Sequence, residues 1–187
     1  MQGWLNAYKE GGWLPSWASP GYRNCMVGTY ADVVVADAVI KGIKGFDLVT
    51  ATDALLKDSF EGAPKFAGGS AGKEGLSEYT NRGYLAVEGQ NKGETVSRTL
   101  DYGFADFATS NALEVLASAA GNEQRKDKLA RDASSLRARA ERASTALFDP
   151  AFGLMVPKVR LHQPIPPKLT LFNHSFDHSH AHKLYGC

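Results

Sequence analysis

Ser97–Ala120, SRTLDYGFADFATSNALEVLASAA, and Glu123–Leu147, EQRKDKLARDASSLRARAERASTAL, decide the fold class. In the first, Leu100, Phe104, Phe107, Ala108, Asn111, Ala112, Val115 and Leu116 recur at the 3.6-residue period of an amphipathic helix. Ser97 or Thr95 can cap its start, and Gly121 stops it. In the second, Leu129, Ala133, Leu136, Ala140 and Ala143 form an inward stripe with the charges outward. Asp149-Pro150 bars its continuation. Two long helices in tandem, with little strand signal around them, predict an all-α helical array.

Working outward, Gln2–Glu10 reads as the end of a helix, with Trp4, Leu5 and Tyr8 on one side and Gly11-Gly12 as its stop. It is short for a domain opening and reads as cut from a longer parent helix. Arg23–Ile43 is expected to be helical, with Met26, Val27, Tyr30, Val33, Val34, Asp37, Ala38 and Ile40 in one wide stripe. Asp47 is expected to cap a third helix, Asp47–Phe60, lined by Leu48, Thr52, Leu55 and Leu56. Glu61–Glu74, rich in Gly, Ala, Pro and Lys, reads as a surface loop. One or two helical turns over Gly75–Arg82 and a short strand at Tyr84–Val87 complete the pattern. After Arg160 the texture changes. Leu161–Cys187 holds three prolines and all five histidines and has no amphipathic period. The chain therefore divides into a helical region, 1–160, and an irregular tail, 161–187, foreign to that domain.

With 187 residues, 43% hydrophobic and 22% charged, the chain has the composition of one globular domain. A formal net charge of +1 gives no field to draw in nucleic acid or an anionic membrane. No apolar run approaches the ~20 residues that span a bilayer. MQGWLNAYKEGG at the start lacks the basic and apolar regions of a signal peptide, which leaves the compartment open. Cys25 and Cys187 are too few for a disulfide framework, and Cys25 beside Met26 reads as a small buried hydrophobe.

The chemistry-bearing stretch is Gly12–Gly42, GWLPSWASPGYRNCMVGTYADVVVADAVIKG. Trp13 and Trp17 can offer flat faces to a pyranose, and Arg23, Asn24 and Thr29 can offer polar groups to its hydroxyls. The alternative is that both tryptophans anchor the core at a helix entry. Asp37 lies within the apolar stripe, where a carboxylate must be paired or functional. It is a substrate-binding candidate, or else a buried partner of Tyr30, Arg23 or Tyr102. Asp37, Asp101 and Asp106 are the carboxyls available for a general acid and base. Asp101 and Asp106 are five apart, so Asp101 is expected toward a site mouth and Asp106 toward solvent. No oxygen-rich cluster suits calcium. His178, His180 and His182, with His174 and Asp177, have a spacing that can grip zinc, but nothing there frames a structured site. No phosphate-binding or nucleophile-elbow motif occurs.

The order G-W-L-P-x-W, C-M-V-G-T, A-D-A-V-I-K-G-I, then YTNRGY (Tyr79–Tyr84), VSRTLDYGFADF (Val96–Phe107) and FDPAFGLMVP (Phe148–Pro157) resembles glycoside hydrolase family 92, the calcium-dependent exo-α-mannosidases. The resemblance runs in order to about residue 158. It implies part of an (α/α)6 barrel, inverting hydrolysis of terminal α-mannosides on glycoprotein glycans, and a calcium ion in the full-length parent. It also implies that the acid, base and most calcium ligands lie on motifs like E-G-N-x-W, N-E-P and G-N-D-D-x-G, none of which occurs here. The expectation is therefore a truncated, inactive mannosidase fragment, contacting mannose-containing glycans through Trp13, Trp17, Arg23, Thr29 and Asp37. It is expected to hold no catalytic pair and no metal of its own. A non-catalytic helical module binding glycan or protein through Trp13, Trp17 and Tyr22 is the other reading; no partner protein is identifiable.

Overall fold

Asp47 starts a helix as its sequence context demands. Its Oδ1 accepts from the backbone amides of Val49 and Thr50, at 3.0 and 3.1 Å, and its Oδ2 accepts from the Thr50 hydroxyl at 2.7 Å. In the computed structural model, which describes residues 1–16, 21–23, 27–64, 71–88 and 93–159, this helix is the third of six. They are α1 (Gln2–Gly11), α2 (Tyr30–Ile40), α3 (Leu48–Phe60), α4 (Leu76–Arg82), α5 (Thr95–Ser118) and α6 (Glu123–Ala146). A minimal antiparallel hairpin follows, β1 (Phe148–Asp149) and β2 (Leu154–Met155), with Phe148 opposite Met155. Trp17, Cys25 and the histidine-rich tail lie outside the described residues.

The all-α class holds, and so do most helices, but several boundaries move. α2 begins at Tyr30 rather than Arg23, because Gly28 stands at φ 90°, where a right-handed helix cannot pass. Neither Ser97 nor Thr95 caps α5. Thr95 is already helical, and Glu94, at φ 58°, occupies the cap position with no side-chain hydrogen bond. Tyr84–Val87 forms no strand; the Val87 amide instead donates to the Lys158 carbonyl at 3.0 Å. The Glu61–Glu74 stretch does not stay on the surface, since Ala71 and Lys73 are fully buried.

The core is a set of linked clusters. Leu5, Leu14, Val35, Val39, Ala51, Leu55 and Ala112 join α1, α2, α3 and α5. Leu113, Ala117, Leu129, Ala133 and Leu136 join α5 to α6, and all three α6 members were legible from the period. The stripe read on α5 is half right: Ala112 is in the core and Ala108 and Leu116 pack against it, but its aromatic members point outward. Phe104, Phe107 and Val115 are 52%, 45% and 42% exposed, while Thr99, Gly103, Asp106, Thr109 and Ser110 face inward. α5 is sandwiched between α2 and α6, and small residues let the three backbones approach closely. A Cβ on Gly103 would sit 3.1 Å from the Ala143 methyl of α6.

Two loops close over this frame. Pro15 bridges Ala71 and Gly62 bridges Lys73, so the 12–16 and 71–75 segments lie together. Gly72, at φ 63°, packs against Trp13: a Cβ there would stand 2.7 Å from the indole. Gly72→Ala should therefore lower stability by about 1–3 kcal/mol, from backbone strain plus overpacking. Urea unfolding of the full chain reads it, and an unchanged midpoint would refute this account of the loop contact.

Candidate functional site

Two polar groupings stand out, one buried and one exposed. The buried one starts at Asp106 on α5. Its two oxygens accept from Arg139 of α6, at 2.7 Å from Nη2 and 2.6 Å from Nε, a bidentate pair. The Tyr79 hydroxyl of α4 donates to the same carboxylate at 2.8 Å, and Lys73 Nζ stands 3.4 Å away. Lys73 also reaches Asp32 of α2 at 3.3 Å and the Asp58 carbonyl of α3 at 3.2 Å. Arg139 donates to the Ser59 carbonyl at 2.8 Å. Its guanidinium lies 5.6 Å from the Phe60 ring and 5.4 Å from the Tyr79 ring. Asp32, Asp58, Lys73 and Asp106 are at most 1% exposed.

Burial sets the electrostatics of this hub. It opposes the Lys73 charge, but the carboxylates of Asp32 and Asp106 more than offset that, and the ammonium is held above its ordinary pKa. Burial, then the Asp106 charge, pushes the Tyr79 phenol up. Burial, then the Asp32 charge, pushes the Asp58 carboxyl well up, although the Leu14 amide donates to it. Calcium takes six to eight oxygen ligands. Among the described residues no group of three or more His, Cys, Asp or Glu has metal-holding geometry, and these buried carboxyls already face two cations. The residues present do not fit the ion.

The exposed grouping lies where the loop enters α2. Tyr30, 39% exposed, donates to Asp101 Oδ1 of α5 at 2.6 Å. That hydrogen bond, with burial second, pushes the phenol to about 12. Gly28 makes room for the pair: a Cβ there would meet the Tyr30 ring at 3.0 Å and Asp101 Cβ at 3.1 Å.

The residues expected to touch substrate are not all found together. Trp13 is buried, with Lys57 Nζ 5.0 Å from its ring centroid and the Tyr22 hydroxyl 2.9 Å from its carbonyl. Thr29 is buried as the first flanking residue of α2, and its hydroxyl has no partner among the described residues. Arg23 is exposed. Trp17 falls outside the described residues. Asp37 is not within an apolar stripe: it is exposed and pairs with Lys41 at 2.8 Å, one turn on. α2 carries apolar residues on every side, so its sequence gives no inward direction, and Asp32 is the carboxylate that turns in. Asp106, expected toward solvent, is fully buried. An open cleft of about 630 Å³ between α3 and α6, lined by Thr52, Asp53, Asn122 and Arg125 among others, includes none of the expected residues.

Sequence reasoning missed Asp32, Asp58, Lys73, Tyr79 and Arg139. For Arg139 a signal existed. It sits three residues after Leu136 and four before Ala143, inside the alanine stripe of α6. For Asp58 and Lys73 no local pattern marks burial.

Comparison with known proteins agrees with the helical architecture. The chain is similar to an inverting family GH92 mannosidase of Bacteroides thetaiotaomicron, 29% identical, with a TM-score of 0.65 over 83% of this chain and 19% of that one. A second family GH92 α-mannosidase of the same organism, solved also in complex with mannoimidazole, is 27% identical, with a TM-score of 0.68 over 88% of this chain and 19% of that one. A curated relative, an uncharacterized secreted glycosidase of Arthroderma benhamiae, is 30% identical over 132 residues, which is 65% of this chain and 16% of that protein. The chain thus spans under a fifth of the length of these relatives. The partial helical barrel and the family model for the glycosyl hydrolase family 92 catalytic domain, matched over residues 1–168, place the chain in glycosyl hydrolase family 92.

Proposed function

We propose that the chain forms part of the substrate-binding side of an inverting α-mannosidase that acts on terminal α-mannosides of glycoprotein glycans, and that it does not itself hold the acid–base pair. Family membership and the solved mannosidases it resembles support the substrate class. The observation that carries the site is the exposed Tyr30–Asp101 pair. Tyr30 offers a ring face to the C–H surface of a pyranose. Asp101 accepts the phenol's hydrogen bond on Oδ1 and keeps lone pairs for sugar hydroxyls. Because the phenol titrates near 12, it remains a neutral donor across any ordinary assay pH.

The other expected residues fit around this pair in changed roles. Thr29 sets the start of α2 and so the position of Tyr30. Trp13 anchors the loop that precedes it. Asp37 lies two turns along α2 from Tyr30, on the exposed face, and Arg23 is exposed as well; Trp17, outside the described residues, stays a contact on the strength of its sequence alone. Inverting hydrolysis needs a protonated acid and a separate base ~6.5–9.5 Å apart. Asp32, Asp58 and Asp106 are enclosed and engaged with one another or with cations, so none can meet a glycosidic oxygen.

Mannoimidazole should bind the full chain without mannose release from an α-1,2-mannobioside. Tyr30→Phe or Asp101→Asn should each weaken that binding about tenfold, the loss of one charge-assisted hydrogen bond. Calorimetry on the three proteins checks this. Equal affinities would remove the pair from the site, and mannose release by the purified chain would show that an acid–base pair has been overlooked.

A second outcome concerns the hub that holds these elements. Asp106→Ala strands the buried Arg139 and leaves Lys73 with Asp32 alone, and should cost about 3–5 kcal/mol, enough to abolish cooperative unfolding of the chain. A melt like that of the unaltered protein would show that the hub is not structural.

A further inference from the structure

Three buried carboxyls, Asp32, Asp58 and Asp106, face two buried cations, Lys73 and Arg139. Arg139 is committed to Asp106 through two short bonds. Lys73 lies between Asp32 and Asp106 and reaches Asp58 through its backbone carbonyl. The Asp58 carboxyl is buried beside that of Asp32, burial and then the Asp32 charge hold it in the protonated form, and two carboxylates so placed can bond each other only through a proton. One buried oxygen of each, Asp32 Oδ1 and Asp58 Oδ1, has no hydrogen-bond donor among the described residues, which leaves room for a proton on either. Full ionisation would leave an uncompensated negative charge in the core.

We propose that Asp32 and Asp58 share one buried proton, and that this proton is a latch holding the Trp13 loop against the 71–75 loop. Asp58 is the point where both loops are tied. Its carboxyl accepts from the Leu14 amide on one loop, and its carbonyl accepts from Lys73 on the other. When the proton leaves to solvent, Asp58 and Asp32 repel at contact distance. Lys73 is already shared with Asp106 and cannot neutralise both. The neighbours on other elements do not supply a cation: Tyr8 on α1 and Tyr22 on the loop are phenols that feel the Asp58 charge, and Arg139 is paired. On α3 itself, Lys57 lies 3.8 Å from Glu61 and is partly solvated. The loops then part, and Trp13 leaves its contact with Gly72.

The linkage has a definite sign. Burial raises the folded pKa of Asp58, so its share of stability is whole below the unfolded value of about 4 and falls as pH rises toward the folded value. The test uses the full chain carrying Trp4→Phe and Trp17→Phe, so that Trp13 alone reports. As pH rises above the ordinary carboxylate range its emission should shift to the red in one sigmoidal step, and amide exchange in 12–16 and 71–75 should accelerate over the same range. Asp58→Asn, which keeps a donor to Asp32 but cannot ionise, should abolish both changes. Carboxyl 13C shifts of the unaltered chain give a readout independent of any variant: one aspartate should stay protonated after the exposed carboxyls have ionised. An aspartate set that ionises together in the ordinary carboxylate range, or the same step in Asp58→Asn, would overturn the proposal. The readouts do not involve mannosides, so they stand or fall apart from the glycosidase reading.

Discussion

α3 ends inside the protein, and this governs what surrounds it. The last carbonyls of a helix have no partner within it and carry the negative end of its dipole. At a surface, water would meet them. Here Asp58 and Ser59 are buried, so side chains must do so. Lys73 donates to the Asp58 carbonyl and Arg139 to the Ser59 carbonyl. The two cations are thus explained by a backbone requirement before any side-chain pairing is considered. Each is a donor with no acceptor, suited by charge to a helix C-terminus.

Two cations out of water then need anions, and the neighbouring helices provide them. Asp106 of α5 holds Arg139 in a fork geometry that fixes the angle between α5 and α6. Asp32 of α2 approaches Lys73 from the other side. Stability alone does not demand this arrangement, since well-packed apolar replacements of buried ion pairs are often as stable. What apolar groups cannot do is bond the α3 carbonyls. The hub therefore joins α2, α3, α4, α5 and α6 at one point, and packing at the rest of the core follows.

This order of causes explains what could be read in advance. α6 was legible because its inner face is apolar and its outer face charged, so period and polarity agree. α3 was legible through the Asp47 cap. The first half of α5 was misread because polar residues share its inner face: Asp106, Thr99 and Ser110 turn inward to meet the hub and the close-packed backbones, which leaves Phe104 and Phe107 outside. α2 was misread because alanine and valine surround it, and Asp32 and Asp37 are indistinguishable by pattern. Only the end of α3 distinguishes them, and that is a tertiary fact. Lys73 sits in a run of glycine, alanine and lysine that has every local mark of a surface loop.

The same helix serves both groupings, and the spacing shows how. Asp101 and Asp106 are five residues apart, which at 3.6 residues per turn is about 140° of rotation. They cannot share a face, so one turns into the hub while the other remains at the loop–α2 junction beside Tyr30. The exposed carboxylate is then held by a helix whose rotation is locked from within, by Arg139 and Tyr79 on Asp106. A polar group that selects a ligand by hydrogen bonding needs a fixed position to within a fraction of an ångström. A surface residue on a helix free to roll would not have it. The buried pair thereby supplies the exposed one with the rigidity that selective hydrogen bonding requires, though the two aspartates never touch the same partner.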